Sequence, residues 1–171
     1  MIHINIGSNI DSKFGNRVDN ITKAIFFLKK ANLNIFKISN FYETPSYPNK
    51  KKPKFLNIGL LANFNLDYLS LLNEAQLVEN KIGRFRSTKN EPRVCDIDII
   101  DFNGELIKTN DLIIPHLRGH MRNFVLYPIK QIDPDWTHPF LKQNVNFLIK
   151  KLDLKSRIEI TRLNKNVNIG I

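Results

Sequence analysis

The chain has little cysteine and no long apolar run, and these two features exclude an internal disulfide and a membrane span. Cys95 is the one cysteine among 171 residues, so no internal disulfide can form. No run approaches the roughly 18 apolar residues of a membrane span. The opening residues, MIHINIG, contain neither a charged n-region nor a cleavage site. We therefore expect a cytoplasmic protein with no membrane partner.

Size and composition indicate one globular domain. A chain of 171 residues buries roughly two-thirds or more of the surface that its unfolded form exposes, so it needs no covalent or metal staple. A hydrophobic content of 42% with 25% charged residues disfavours wholesale disorder, a collagen-like repeat and a coiled coil. We expect a single domain over residues 1–155. Residues 156–171, rich in Asn, Lys and Arg, are predicted to form a loosely attached C-terminal extension.

Acidic residues are also scarce, because 26 Lys and Arg face 16 Asp and Glu for a net charge of +10. Such a charge favours nucleic acid, anionic lipid or phosphorylated small molecules as partners. The excess lies in the flanks, since residues 61–115 carry six basic and nine acidic groups. Five of the eight arginines nevertheless fall between 84 and 122, where only two lysines lie. Because a guanidinium binds phosphate oxygens through a planar fork, this window predicts a phosphate site.

Hydrophobic periodicity predicts the order strand, helix, strand, strand, helix, strand. This βαββαβ order is typical of an α+β ferredoxin-like fold, an antiparallel sheet with helices packed on it. Here a C-terminal helical extension follows, and Asn103-Gly104 predicts a tight turn after which residues 105–107 pair back on the fourth strand. The predicted strands are 2–6, 33–42, 55–65 and 94–102, and the predicted helices are 16–31, 67–83, 123–132 and 145–152.

Two aspartates inside the fourth predicted strand form the clearest candidate site. Asp96 and Asp98 project to one face, roughly 6–7 Å apart at Cα, while the residue between them points the other way. Such a pair can simply face solvent, but aspartate is depleted from strands. Because magnesium prefers carboxylate oxygens together with substrate phosphates, the pair beside Arg84, Arg86 and Arg93 indicates a metal-nucleotide site.

Several other residues have both a structural and a functional interpretation. Glu79 lies on the apolar stripe of its helix, so it either forms a buried ion pair with an arginine or accepts a hydrogen bond from a ligand. His116 is either structural or helps to bind phosphate. Phe55 and Phe124 are either core residues or faces for an aromatic ligand. The Gly7-Ser8-Asn9 turn lacks Walker spacing and is a weak phosphate loop.

Seven short segments, taken in order, resemble a known family. They are IGSN (6–9), FYETP (41–45), FLN (55–57), ENKIGRFR (79–86), PRVCDIDII (92–100), IPH (114–116) and R-x-FVLYP (122–128). From about residue 2 to 139 the chain closely resembles 6-hydroxymethyl-7,8-dihydropterin pyrophosphokinase, and the block from Glu79 to Asp98 is its most specific part. The resemblance implies transfer of pyrophosphate from ATP to the hydroxymethyl group of 6-hydroxymethyl-7,8-dihydropterin, releasing AMP, in tetrahydrofolate biosynthesis.

The resemblance also implies roles for individual residues. Asp96 and Asp98 would hold two Mg²⁺ ions, and Arg84 and Arg93 would join them as the catalytic group. Residues implied in ATP binding are Leu72, Glu79, Arg84, Arg86, Arg93, Ile99, His116 and Arg122, and residues implied in pterin binding are Thr44, Pro45, Tyr47, Phe55, Asn57 and Phe124. The enzyme would be a monomer whose partners are ATP and the dihydropterin, without nucleic acid.

Three alternatives stay open at the level of sequence. A nucleotidyl transferase also combines a Gly-Ser turn with a D-x-D pair, but those signals normally lie close together, whereas 87 positions separate Ser8 from Asp96. An RNA-binding ferredoxin-like module needs exposed aromatics on its central strands, a pattern that is not evident here. An inactive homologue is suggested by Asn90 and Glu91, which precede Pro92 where the family usually has glycine.

Overall fold

The computed structural model describes residues 1–47, 49–84 and 92–164, and the secondary structure of these residues is as follows. The strands are β1 (Ile2–Ser8), β2 (Asn34–Ile38), β3 (Phe41–Thr44), β4 (Phe55–Asn63), β5 (Asp96–Phe102), β6 (Ile107–Lys108), β7 (Ile113–Ile114) and β8 (Thr161–Leu163). The helices are α1 (Arg17–Lys30), α2 (Tyr68–Ile82), α3 (Asn123–Ile132), α4 (Val145–Lys151) and α5 (Leu154–Ile158), and a 3-10 helix, Gly119–Met121, precedes α3.

The main sheet is antiparallel and runs in the order β5-β1-β4-β3-β8, with β2 pairing with β4 beside β3. The predicted βαββαβ order and the α+β ferredoxin-like fold are confirmed. In the centre of the sheet, Gly7 of β1 lies opposite Asn57 on β4 and opposite Asp96 on β5. These three residues therefore form one row across three strands.

The boundaries of α1 and α2 follow from their capping residues. Asn16 caps α1 by accepting hydrogen bonds from the backbone N–H groups of Val18 and Asp19, and Asp19 completes a capping box. Asp67 caps α2, which ends at Gly83 in the left-handed conformation with φ of 111°. Both predicted helices are confirmed. Among the residues that the structure describes, no helix has the length and apolarity needed to cross a membrane.

The predicted single strand over 33–42 is wrong, because the chain breaks between β2 and β3. At the break the Ser39 hydroxyl accepts a hydrogen bond from the Gly59 N–H at 2.9 Å, in place of a carbonyl of the ladder. The Asn40 N–H leaves the sheet and donates to Gln131 Oε1 at 3.0 Å. Two side chains thus replace backbone pairing and divide the strand in two.

The predicted hairpin after Asn103-Gly104 is also wrong in its pairing. Residues Ile107–Lys108 pair with Ile113–Ile114 in a separate two-stranded sheet rather than with β5. A turn from Thr109 to Leu112 closes this small sheet, since the Thr109 N–H donates to the Leu112 carbonyl at 2.9 Å. The hydrogen bond within the turn at residues 109–112 therefore favours pairing of β6 with β7 over pairing with β5.

Helices cover both faces of the sheet. On one face α1 and α2 bury the even-numbered isoleucines of β1 in the larger core cluster. On the other face α3 and α4 pack around Trp136 in a second cluster. The odd-numbered residues of β1, which face α3, are His3, Asn5 and Gly7, so this side of the sheet is polar and carries the candidate site.

The described part of the predicted C-terminal extension packs against the domain. Asp153 caps α5 by accepting from the Ser156 N–H, and β8 then pairs with β3 at the edge of the sheet. Arg162 of β8 donates to Asn40 Oδ1 at 2.8 Å. Up to residue 164 the segment is therefore a further edge strand with its own helix, rather than a loose tail.

Candidate active site

A cavity of about 360 Å³ opens on the polar face of the sheet. Its floor includes the row formed by Asn57, Gly7 and Asp96, and its walls include residues 44–47 and the start of α3. Because β1 lies between β4 and β5, two strand spacings of about 4.8 Å each separate Asn57 from Asp96 across the floor. The cavity thus has one side built on β3 and β4 and another built on β5.

The side built on β3 and β4 presents neutral hydrogen-bonding groups and aromatic rings. Asn57 is buried, and its Nδ2 lies 3.5 Å from the Thr44 hydroxyl oxygen. A Cβ on Gly7 would lie 2.7 Å from Asn57 Oδ1, so glycine is what allows this amide to lie flat on the floor. The structure brings all six predicted pterin residues to the cavity: Thr44, Pro45, Tyr47, Phe55, Asn57 and Phe124.

Phe124 is held in the cavity wall by a compensated helix defect. Pro128 has no N–H, so the carbonyl of Phe124 lacks its usual partner within α3. In the amide orientation that satisfies both of its contacts, Asn5 donates to the Phe124 carbonyl at 2.9 Å and to the Ile58 carbonyl at 3.1 Å. Sequence reasoning missed Asn5, although an asparagine in the middle of an apolar strand was a usable signal.

Asn9, which the sequence indicated only as part of a weak phosphate loop, joins two loops beside the cavity. Its side chain accepts from the Arg93 N–H at 2.6 Å and donates to the Pro53 carbonyl at 3.1 Å. Its backbone N–H donates to the Arg93 carbonyl at 3.0 Å. Asn9 is buried and lines the cavity, so it fixes the backbone from which the Arg93 side chain extends.

The side built on β5 carries opposite charges in close contact. Asp96 forms ion pairs with Arg93 and, at 2.7 Å, with Arg84. Asp98 lies 3.7 Å from Arg122 Nη1 and 3.9 Å from His116 Nε2. Burial, and then the negative charge of Asp96, raise the pKa of Asp98 to about 7. The arginines therefore compensate the charge of Asp98 incompletely.

Glu79 forms the buried ion pair with an arginine that one of its two interpretations predicted. The side chain is 2% exposed and forms an ion pair with Arg84. Its Oε1 also accepts from the Ile97 N–H at 2.7 Å, at the start of β5. Glu79 thus fixes Arg84 against the strand that carries both aspartates.

His116 presents a neutral ring to the site. Its Nδ1 accepts from the Arg118 N–H at 3.2 Å, which assigns the proton to Nε2. Burial, and then the charge of Arg122, lower the pKa of His116 to about 4. The ring is therefore a neutral N–H donor near neutral pH, directed toward Asp98.

Of the eight predicted ATP-binding residues, Arg93 and Arg122 line the cavity. Glu79, Arg84 and His116 do not line it, but they contact its aspartates or the strand that carries them. The other three lie away from the cavity or outside the described part of the chain. Leu72 packs against the larger core, and Ile99 is buried within it, on the opposite face of the sheet from Asp98. The Ile99 side chain is thus closed to a nucleoside. Arg86 lies outside the described residues, as do Asn90 and Glu91.

The carboxylate pair fits a hard divalent cation. In the described residues no group of three or more His, Cys, Asp or Glu side chains is placed to hold a metal ion. Among the acidic residues that the structure describes, Asp96 and Asp98 are the two that line the cavity, with 18% and 25% of their side chains exposed. Mg²⁺ is usually held by one or two carboxylates together with water and substrate phosphates. The residues present therefore suit Mg²⁺ that arrives with a phosphorylated ligand.

Comparisons with known proteins agree with this chemistry. The model of the 7,8-dihydro-6-hydroxymethylpterin-pyrophosphokinase (HPPK) family matches residues 3–134. The chain is 37% identical to the 2-amino-4-hydroxy-6-hydroxymethyldihydropteridine pyrophosphokinase of Bacillus subtilis over 131 residues, which are 76% of each chain. It is 35% identical to the protein of the same name from Aquifex aeolicus, covering 83% of this chain and 86% of that one.

Other relatives are much longer than this chain. The folic acid synthesis protein fol1 of Pneumocystis carinii is 31% identical over 99% of this chain, which spans only 23% of that protein. A crystal structure of Plasmodium falciparum HPPK-DHPS superposes with a TM-score of 0.72 at 16% identity, covering 94% of this chain and 46% of that one. The latter likeness supports the fold alone. On the family match and the two relatives of similar length, the chain belongs to the 7,8-dihydro-6-hydroxymethylpterin-pyrophosphokinase family.

Proposed function

We propose that the protein transfers pyrophosphate from ATP to the hydroxymethyl group of 6-hydroxymethyl-7,8-dihydropterin and releases AMP. The observation that carries the proposal is the cavity floor, where Asn57 and Asp96 lie on either side of Gly7. An amide between aromatic rings suits a flat heterocycle with donor and acceptor edges. Carboxylates among arginines suit a triphosphate with its cation.

On the pterin side, side chains of this chain bind and orient the acceptor. The Asn57 amide offers both a donor and an acceptor to the ring edge. Phe55 and Phe124 cover the faces of the ring, and the hydroxymethyl group is then directed across β1 toward β5. Since the pocket side chains are already in place, little ordering is required when the pterin binds.

On the phosphate side, cationic side chains bind the triphosphate and offset negative charge. The pterin hydroxymethyl oxygen attacks the β-phosphorus in line and loses its proton, while the bond from the β-phosphorus to the α–β bridging oxygen breaks and AMP leaves. Arg84, Arg93 and Arg122 stabilise the charge on the transferred group. Neutral His116 donates a hydrogen bond from Nε2.

Asp96 and Asp98 would hold the magnesium, and we propose two ions. When bound, Mg²⁺ supplies positive charge that polarises the phosphoryl oxygens. To receive it, Asp96 must exchange part of its contact with Arg84 and Arg93 for the cation. The arginines released in this way are then available to the phosphates.

The test is the identity of the product. Purified protein with ATP, Mg²⁺ and 6-hydroxymethyl-7,8-dihydropterin is expected to form AMP only when the pterin is present, as measured by chromatography of the nucleotides. Release of inorganic pyrophosphate, with AMP attached to the acceptor, would instead indicate nucleotidyl transfer. Salt-sensitive RNA binding without pterin-dependent consumption of ATP would favour an RNA-binding module, and absence of both would indicate an inactive homologue.

Asn57→Ala tests the pterin side separately. We expect the KM for the pterin to rise by about 10-fold or more, because one buried amide loses its hydrogen bonds to the ring. The KM for ATP should stay within about 2-fold of the unsubstituted protein. Asn63→Ala, at the exposed end of the same strand, is the matched control and should change neither value.

We further propose that the enzyme works as a monomer in the cytoplasm. The buried free thiol of Cys95 suits a reducing compartment. Analytical ultracentrifugation across the concentration range of the activity assay tests the oligomeric state.

A further inference from the structure

The C-terminal strap, defined as residues 153–163, contacts both walls of the candidate pterin pocket. It lies beyond residues 3–134, the part that matches the family model. Its contacts involve the loop that carries Tyr47 on one side and the first residue of α3 on the other. The strap therefore lies outside the part that matches the family model, yet it reaches the same cavity.

On the loop side, Glu159 holds two side chains at once. The Tyr47 hydroxyl donates to Glu159 Oε2 at 2.5 Å, and Lys50 forms an ion pair with Oε1. The Glu159 side chain is 19% exposed, whereas that of Lys50 is 45% exposed. The ammonium groups of Lys50 and Lys155 lie 5.8 and 5.9 Å from the centre of the Tyr47 ring. The strap thus holds a residue that lines the cavity.

On the helix side, the strap contacts the start of α3. Asn123 Nδ2 donates to the Ser156 carbonyl at 2.6 Å, and both residues line the cavity. Asn123 directly precedes Phe124, the aromatic wall of the pocket. The Ser156 backbone is itself fixed, because its N–H donates to Asp153 Oδ1 at 2.8 Å.

The edge strand anchors the strap to the sheet next to the same pocket. In β8, Arg162 lies opposite Tyr42 and Thr161 lies opposite Glu43. One residue further along β3 is Thr44, which faces Asn57 in the cavity. The strap consequently spans the distance between β3, the loop with Tyr47 and the start of α3, and it connects all three.

We propose that the C-terminal strap sets the width of the pterin pocket, with Glu159 as a positioning residue that acts through Tyr47. Glu159 does not line the cavity, so its effect reaches the ligand only through the residues it holds. The catalytic consequence rests on the proposed function, whereas the tethering of the loop does not. The two are therefore measured separately.

The first measurement is tethering, by limited trypsin digestion of the full chain. The run Lys50-Lys51-Lys52 lies in the tethered loop, and cleavage is expected after the first two lysines, since Pro53 follows the third. Glu159→Ala should increase the rate of cleavage at Lys50 and Lys51 by about 5-fold, read from fragment masses. Glu105→Ala, an exposed glutamate elsewhere in the fold, is the matched control and should leave the rate unchanged.

The second measurement compares the KM for the pterin with kcat and the KM for ATP. Glu159→Ala should raise the KM for the pterin by about 3- to 10-fold, while kcat and the KM for ATP stay within about 2-fold. Glu159→Gln keeps an oxygen that accepts from Tyr47 but loses the charge that pairs with Lys50. Because exposed ion pairs contribute little, this variant should recover most of the lost pterin affinity.

The outcomes separate the strap from the proposed function. If trypsin cleaves Glu159→Ala at the rate of the unsubstituted protein, the strap does not hold the loop and the inference is overturned. If tethering is lost but the KM for the pterin is unchanged, the strap holds the loop without setting the pocket, which also overturns it. If the unsubstituted protein shows no pterin-dependent AMP formation, the proposed function fails while the digestion result still reports on tethering.

Discussion

The two ends of one sheet face carry similar residues in very different surroundings. At the open end, Asp96 and Asp98 point into the cavity. At the closed end, His3 and Asp101 lie on the same strands, β1 and β5, beneath Trp136. There His3 Nε2 lies 2.9 Å from Asp133 Oδ2, and Trp136 Nε1 donates to Asp101 Oδ2 at 2.7 Å. Both ends place acidic groups on a strand.

The difference is whether the partners of those groups can be exchanged. At the closed end, His3, Asp101 and Trp136 are 2–6% exposed, and Asp101 also accepts from the Gly104 N–H at 2.8 Å. A ligand cannot reach these groups. At the open end, the partners of the aspartates are arginines beside a cavity, so phosphates and a cation can replace the contacts. A paired carboxylate on a strand therefore marks a site only where a ligand can reach its partners.

The largest expected effect is at the open end, from Asp98→Asn. The substitution keeps the shape of the side chain and removes the charge, so a folded protein should lose at least about 10²-fold in pterin-dependent AMP formation. Turnover assays give the rate, and a urea unfolding curve shows that the protein is folded. Turnover near that of the unsubstituted protein would show that Asp98 takes no part in the chemistry.

The next effect is at the closed end, where Asp101→Ala should change stability rather than activity. It leaves the buried indole N–H of Trp136 without its acceptor and removes the hydrogen bond of the Gly104 N–H, so we expect a loss of about 2–3 kcal/mol in the free energy of unfolding. Activity of the folded protein should stay within about 3-fold. Asp111→Ala, at an exposed position, is the control. A large loss of activity at unchanged stability would mean that the closed end contributes to catalysis at the open end.

The sequence predicts the direction of the side chains at the open end but not at the closed end. Alternation correctly predicted that Asp96 and Asp98 share a face, because β5 is regular there. The same rule puts Asp101 on the face of Ile97 and Ile99. A shift in the pairing register of β1 with β5, between His3 and Ile4, instead sets Asp101 opposite His3. A bulge of this kind depends on contacts between strands and cannot be read from alternation.

Long-range side-chain contacts account for what else was missed. The role of Asn5 depends on Pro128, more than a hundred residues away in sequence, whose missing N–H leaves a carbonyl for the amide to satisfy. The break between β2 and β3 depends on Ser39 meeting Gly59. The local signals predicted the helix caps well, since Asn16 and Asp67 act on residues within one turn of themselves.

The smallest expected effect is the response of the closed end to pH, followed through His138, whose ring centre lies 5.6 Å from that of Trp136. Burial, and then the nearby His120, lower the pKa of His138 to about 4. Between about pH 6.5 and pH 4 the unfolded chain therefore binds more protons at this position than the folded chain. The stability that this gives is present above about pH 6.5 and is lost as the pH falls toward 4.

His138→Gln removes this titration and should flatten part of the pH dependence. The His138 side chain is 5% exposed, and its Nδ1 accepts from the N–H groups of Phe140 and Leu141, contacts that a glutamine oxygen can also accept. Between pH 7 and pH 5 the unsubstituted protein should lose roughly 1–2 kcal/mol more than the variant in urea unfolding. Equal losses would mean that the ring is protonated in the folded protein and that the closed end is open to water. A difference of the expected size would instead show that burial separates the closed end from the open one, even though both are built from polar residues of the same strands.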